Sequence, residues 1–158
     1  APATPHTVAW PPARLLGFDL AQPSLTPGGF LEATLYFQAA GPSPTEQWFR
    51  LSLVNAAQPD ALIATDQADP CRGLYPAWLW QPGETIVAKA VLAVPPDLPP
   101  GDYAVRMDMF DLAVGPDALL PATGDQTLTT LTAALAKAAR IKIAPVGQSA
   151  ACSDRPAP

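Results

Sequence analysis

The residues with the most to offer chemically are aromatic. Tyr75, Trp78 and Trp80 sit close together in the run GLYPAWLWQPGE, with Pro76 and Pro82 between and beside them. An aromatic face stacks on the apolar C–H patch of a pyranose ring, and an indole adds one N–H donor that can orient the sugar. The competing reading is a loop that folds back and caps one open end of the fold. In that reading the run WQPGE is packing and turn chemistry; Trp80, which belongs to a recurring motif series, is then structural, and Trp78 is the tryptophan expected at the surface. A second group is Tyr36, Trp48 and Arg50, with Gln38 beside them. If the strands 30–39 and 47–55 pair, these side chains form a flat platform with a polar rim, suited to a sugar or a peptide. The plain alternative is an outer sheet face with scattered aromatics, or one covered by an N-terminal strap carrying Trp10.

Other chemistries have few residues to work with. His6 is the one histidine and lies near the start of the chain. No G-x-S-x-G occurs, and the three glutamates, Glu32, Glu46 and Glu84, have no implied partner. Asp66, Asp69, Asp108, Asp111 and Asp117 lack the spacing of a calcium loop, so they read as solvated charges and turn caps. Met107 and Met109 could suggest Cu(I) with His6, but they share a face with Tyr103 and Val105, and core packing explains them. The expectation is a protein that is not an enzyme and needs neither metal nor cofactor. The formal charge of −5 argues against nucleic acid and anionic lipid as partners.

Two cysteines, Cys71 and Cys152, allow one pairing and form no CxxC. A bridge would close a loop of about 80 residues, worth roughly 4 kcal/mol in the chain-entropy treatment. The alternative is two thiols in a reducing compartment. Cys152 lies in a polar tail, unlike a core cysteine with apolar neighbours, which favours the bridge. The opening APATPH has no basic or apolar signal region, so the chain reads as a mature form or a soluble piece of something longer. No apolar run is long enough to span a bilayer.

These side chains need a frame, and proline limits what it is. There are 21 prolines in 158 residues, against a usual ~5%, so long helices are excluded. The residues 1–12 read as a proline-rich leader strap. The run 14–20 (RLLGFDL) is a short apolar strand. In 30–39, Leu31, Ala33, Leu35 and Phe37 alternate with polar neighbours, which marks a half-buried strand. In 47–55, Phe49, Leu51 and Leu53 point inward; Trp48, Arg50 and Ser52 point outward. A shorter strand covers 61–65, and an irregular stretch 66–83 follows. The segment 84–94 is apolar on both faces and reads as a central strand. PPDLPPG is a stiff turn, a better account than a polyproline ligand. In 102–111, Tyr103, Val105, Met107 and Met109 form the inward set. The stretch 127–139 is ambiguous: leucines at helical spacing overlap a threonine-rich strand pattern, and the favoured reading is an edge strand over 127–132. A last strand covers 140–144. Together these predict an all-β, immunoglobulin-like antiparallel sandwich of seven to nine strands, spanning 13–144, with a tail, 145–158, that the disulfide would pin.

The order of motifs adds a resemblance. GFDL (17–20), TLYFQA (34–39), GLYP (73–76), WQPGE (80–84) and LPPGDYAVRMDMFD (98–111) follow one another across 14–111. The series resembles an extracytoplasmic C-terminal module of bacterial membrane glycosyltransferases of the dolichyl-phosphate-mannose type, and of related proteins notably from Chloroflexus-like bacteria. Phe37 stands where that module commonly has tryptophan, Cys71 has no counterpart, and residues after 111 match poorly. The resemblance implies a β-sandwich, an extracytoplasmic setting and an accessory role without catalytic residues. The expected function is contact with carbohydrate or cell-envelope glycan beside a membrane glycosyltransferase, through Tyr75, Trp78, Trp80, Tyr36, Trp48 and Arg50. The alternative is a protein–protein module that docks a neighbouring membrane-protein domain. A fainter similarity, to the intracellular proteinase inhibitors of Bacillus, leaves a protease-inhibitor-like sandwich as a third reading.

Overall fold

The computed structural model describes residues 1–134. Among them are nine strands: β1 (Thr4–Ala9), β2 (Ala13–Leu20), β3 (Phe30–Ala39), β4 (Gln47–Asn55), β5 (Gln58–Ala68), β6 (Thr85–Ala93), β7 (Gly101–Asp111), β8 (Thr123–Gly124) and β9 (Thr127–Ala133). One short 3-10 turn, Ala77–Leu79, interrupts the loop between β5 and β6. The strands form two antiparallel sheets, ordered β6-β3-β2-β1-β8 and β5-β4-β7-β9. The expected all-β, immunoglobulin-like sandwich is therefore the fold.

Alternation sets the packing. Leu31, Ala33, Leu35 and Phe37 of β3 meet Phe49, Leu51 and Leu53 of β4, and Val105, Met107 and Met109 of β7, in one apolar core. The rings of Phe37 and Phe49 join the two layers, with centroids 6.1 Å apart. β9 is an edge strand, as the threonine-rich pattern suggests.

Several expectations change. The leader 1–12 is not a strap: Thr4–Ala9 pairs with both β2 and β8, and Trp10 enters the core. Pro5 is accommodated by a register shift between Pro5 and Val8. Close packing of this strand explains Gly17. A Cβ there would lie 2.5 Å from the Thr4 carbonyl oxygen.

The strand expected to be central, now β6, closes one edge of its sheet. Its second face, Thr85, Val87, Lys89, Val91 and Ala93, is exposed or half-buried, and β5, the edge of the other sheet, lies beside its edge. Asp66 Oδ2 accepts from the Val91 N–H at 2.8 Å, and Arg72 donates to the Lys89 carbonyl at 3.2 Å.

β3 and β4 do not pair. β3 lies between β2 and β6, and β4 lies between β5 and β7. The connection GPSPT has no tight hairpin turn in it, and its prolines remove ladder donors. The chain crosses from one sheet to the other there, and the Ser43 N–H is taken by the Ala77 carbonyl at 3.0 Å. The strand expected over 140–144, the tail 145–158 and Cys152 lie outside the described residues.

Candidate ligand-binding site

The loops 10–12, 40–46, 69–84 and 112–122 all gather at one end of the sandwich, where β1, β3, β5 and β7 finish. The longest of them carries the aromatic run. Its folding starts from turn chemistry. Asp69 Oδ1 accepts from the Cys71 N–H at 3.0 Å, and Arg72 takes a left-handed φ of 50° ahead of Gly73. At the far side, Gln81-Pro82-Gly83-Glu84 closes with a 3.1 Å bond from Glu84 N–H to the Gln81 carbonyl. Proline fixes the second position, and Gly83 supplies the φ of 78° that the third needs.

Between these turns, two of the candidate aromatics turn inward. Tyr75 is 3% exposed and Trp80 is fully buried, so neither offers a face to a ligand. The Tyr75 hydroxyl lies 2.6 Å from the Leu79 carbonyl and 2.6 Å from Glu84 Oε2. The Trp80 indole N–H donates to the Tyr75 carbonyl at 3.2 Å. Both rings cap the core, because each polar handle finds a partner inside the loop.

Trp78 behaves differently. It stands 57% exposed on the 3-10 turn, flanked by the exposed Leu79 and Leu74. The backbone under it is tied down. Ala77 is buried; its carbonyl accepts from Ser43 and Trp80, and its N–H donates to Glu46 Oε1 at 3.3 Å. Burial pushes the Glu46 carboxyl above the ordinary glutamate range; the bond from Ala77 pulls against this, and the nearby Asp69 charge adds to the rise. Trp78 is thus an exposed indole on a braced backbone.

The second candidate group is split between opposite faces. Tyr36 lies on the outer face of the β3 sheet and donates to Asp19 Oδ2 at 2.6 Å. Trp48 and Arg50 lie on the outer face of the β4 sheet. Trp48 packs on Phe110, with ring centroids 6.3 Å apart, and Arg50 pairs with the buried Asp108 at 3.3 Å. A common platform for all three does not exist. The β4 face is also more closed than alternation alone suggests. Ser52 and Phe110 point outward and are buried, and Arg106 reaches across to the Pro59 carbonyl at 3.3 Å. Register shifts between Leu53 and Asn55 bend the β4–β5 hairpin at that point.

Glu46 and Ser43 were not singled out from sequence, although they hold the Trp78 turn from the neighbouring loop. The GPSPT run was the available signal, since stiff loops make fixed supports. Among the described residues, no group of three or more His, Cys, Asp or Glu is placed to hold a metal ion.

No family model matches the chain, and no curated protein matches it. Solved structures do. The fold is similar to the crystal structure of the C-terminal domain of wzt. The TM-score is 0.58 at 15% identity, over 87% of this chain and 84% of that one. The sporulation control protein Spo0M from Bacillus subtilis is a fainter likeness. Its TM-score is 0.48 at 15% identity, over 77% of this chain and 49% of that one. At such identities the likeness is one of fold. The glycosyltransferase-module resemblance rests on the ordered motifs alone.

Proposed function

We propose that this chain is a non-catalytic module that works outside the cytoplasm and contacts carbohydrate, as an accessory beside a membrane glycosyltransferase. The observation that carries the reading is Trp78. Stacking on a sugar ring requires an aromatic face in solvent whose position is fixed before the ligand arrives, since ordering a loose side chain would subtract from affinity. The Ala77 bonds to Ser43, Trp80 and Glu46 brace the backbone that carries the indole. Tyr75 and Trp80 support the turn from beneath, and Tyr36, Trp48 and Arg50 lie elsewhere on the molecule. The extracytoplasmic setting draws on the motif series and on a Cys71–Cys152 bridge. No helix among the described residues is long and apolar enough to cross a membrane.

A glycan array probed with the purified protein and with Trp78→Ala tests this. The expected result is binding to a defined glycan class, weakened at least about tenfold by the substitution with the fold intact. Absence of binding across a broad array overturns the glycan reading. A protein partner then becomes the better account, because Leu74 and Leu79 extend the apolar surface around Trp78. A protease-inhibitor role has no comparable observation in its favour.

A further inference from the structure

Beside the Trp78 turn lies a depression of about 360 Å³, broadly open to solvent, between the β1–β2 turn and the β3–β4 crossing. Its size falls in the range of small-molecule pockets, roughly 300–1,000 Å³. Pro11, Pro12, Pro42 and Pro44 form much of its wall. Proline rings present apolar surface on a backbone whose φ is already fixed. The polar part of the lining is Ser43, Thr45 and Gln47. Gln47 is only 5% exposed, and its Nε2 donates to Thr45 Oγ1 at 2.8 Å. Hydroxyl and amide groups set among apolar walls are the lining that a polyhydroxylated, uncharged ring matches.

Ser43 connects the cavity to Trp78. Its side chain lines the cavity, while its N–H donates to the Ala77 carbonyl beneath the indole. The depression and the backbone that carries the indole are therefore tied together, an arrangement that would let them engage neighbouring units of one chain-like ligand.

Charge narrows the ligand further. No residue lining the cavity is ionisable. Among the described residues, the loops at this end carry Glu46, Asp69, Glu84 and Asp117, with Asp111 at the end of β7 beside them. Their one cation among the described residues, Arg72, is paired with Asp66 at 2.9 Å. Arg14, at the start of β2, is turned to the outer sheet face and bonded to Gln38. The described residues make the field at this end negative, which disfavours an anionic ligand.

Resting on the carbohydrate reading, we infer that the glycan is an uncharged one, with one sugar unit stacked on Trp78 and a neighbouring unit seated in the proline-walled cavity. Uronic acids and phosphorylated or sulfated glycans would be disfavoured by the described carboxylates around the site and would find no ionisable residue in its lining.

Isothermal titration calorimetry with matched oligosaccharides tests this inference. The probes are neutral glucose, galactose and mannose oligomers and the corresponding uronic acid oligomers, at low and physiological salt. The proteins are the full chain, Trp78→Ala and Pro44→Trp, which places bulk at the cavity from an exposed position. Pro42→Trp, also exposed, is the second blocking variant if Pro44→Trp does not fold. A neutral oligomer is expected to bind, with its uronic acid counterpart at least about tenfold weaker at low salt and the gap narrowing as salt rises. Each blocking variant is expected to weaken binding about tenfold or more. Neutral binding lost in Trp78→Ala but unchanged or tighter in the blocking variants overturns the cavity assignment and leaves the carbohydrate reading standing. Preference for the acidic oligomers overturns the charge argument. Binding of neither class overturns both readings.

Discussion

The Tyr36 hydroxyl and the Asp19 carboxylate show how one contact can be read by titration. Tyr36 donates to Asp19 Oδ2 at 2.6 Å, and Asp19 also accepts from the Ala3 N–H. That bond holds the Tyr36 phenol above its ordinary value, with burial and the Asp19 charge adding to it. The same bond, then the one from Ala3, holds the Asp19 carboxyl below its ordinary value against a small effect of burial. The signs follow from linkage. Tyr36 binds its proton more tightly in the folded chain. Its contribution is complete below the unfolded value near 10.0 and disappears as pH rises through the folded one. Asp19 contributes above its unfolded value near 3.8, and that contribution disappears as pH falls through the folded one. Phenolate absorbance at 295 nm is expected to show a tyrosine titrating later than in Asp19→Asn. Identical curves for the two proteins would mean the contact does not form in solution.

Among the elements, the edges of the sheets carry the most information. A free edge invites pairing with another chain. The β5 and β6 edges close on each other through Asp66, whose Oδ2 holds both the Val91 N–H at 2.8 Å and Arg72 at 2.9 Å. Asp66→Ala leaves that N–H without its acceptor and should destabilise the fold by about 1–3 kcal/mol. It should also add self-association, seen as a concentration-dependent shift in size-exclusion chromatography. Asp66→Asn retains an acceptor and should lose less. An unchanged urea midpoint in Asp66→Ala would remove this edge contact from the account. The alternation in 30–39, 47–55 and 102–111 made the core faces readable, because a period of two decides which residues share a side. It does not decide which strand lies next to which. Trp48 and Tyr36 were therefore placed together from sequence, while the GPSPT crossing sends them to opposite faces. The apolar second face of 84–94 had the same ambiguity. Valines and an alanine on a half-exposed face read like a central position when side chains are the only guide. Trp78 and Trp80, two positions apart, were separable because Trp80 belongs to the motif series, as part of WQPGE, and Trp78 does not. The cavity was not legible, since Pro11 and Pro12 meet Pro42 and Pro44 only after β1 joins the sheet.

The whole molecule concentrates its irregular chain at one end, with rigid strands behind it, a common arrangement for recognition loops. Cys71 lies buried in that end, in the loop that also carries Trp78. A bond from Cys71 to Cys152 would join the end of the chain to this loop and restrict the unfolded state across about 80 residues, worth roughly 4 kcal/mol. Such a bridge also reports on compartment, because a reducing cytoplasm does not sustain structural disulfides in ordinary proteins. Peptide mapping without reduction is therefore expected to recover the Cys71 and Cys152 peptides as one species. Reduction, or Cys152→Ser, should lower the urea midpoint by an amount consistent with that loop. The two perturbations should not add, because they remove the same cross-link. If both thiols alkylate in the folded protein without reductant, the bridge is absent. The case for a setting outside the cytoplasm then falls back on the motif series alone. Ala77, next to Trp78, is held by Ser43 and Glu46 through contacts independent of either cysteine, so the glycan binding proposed for Trp78 should persist in Cys152→Ser. On this reading the bridge would stabilise the frame, and ligand selection would rest with Trp78 and the proline-walled depression, so the two can be perturbed separately.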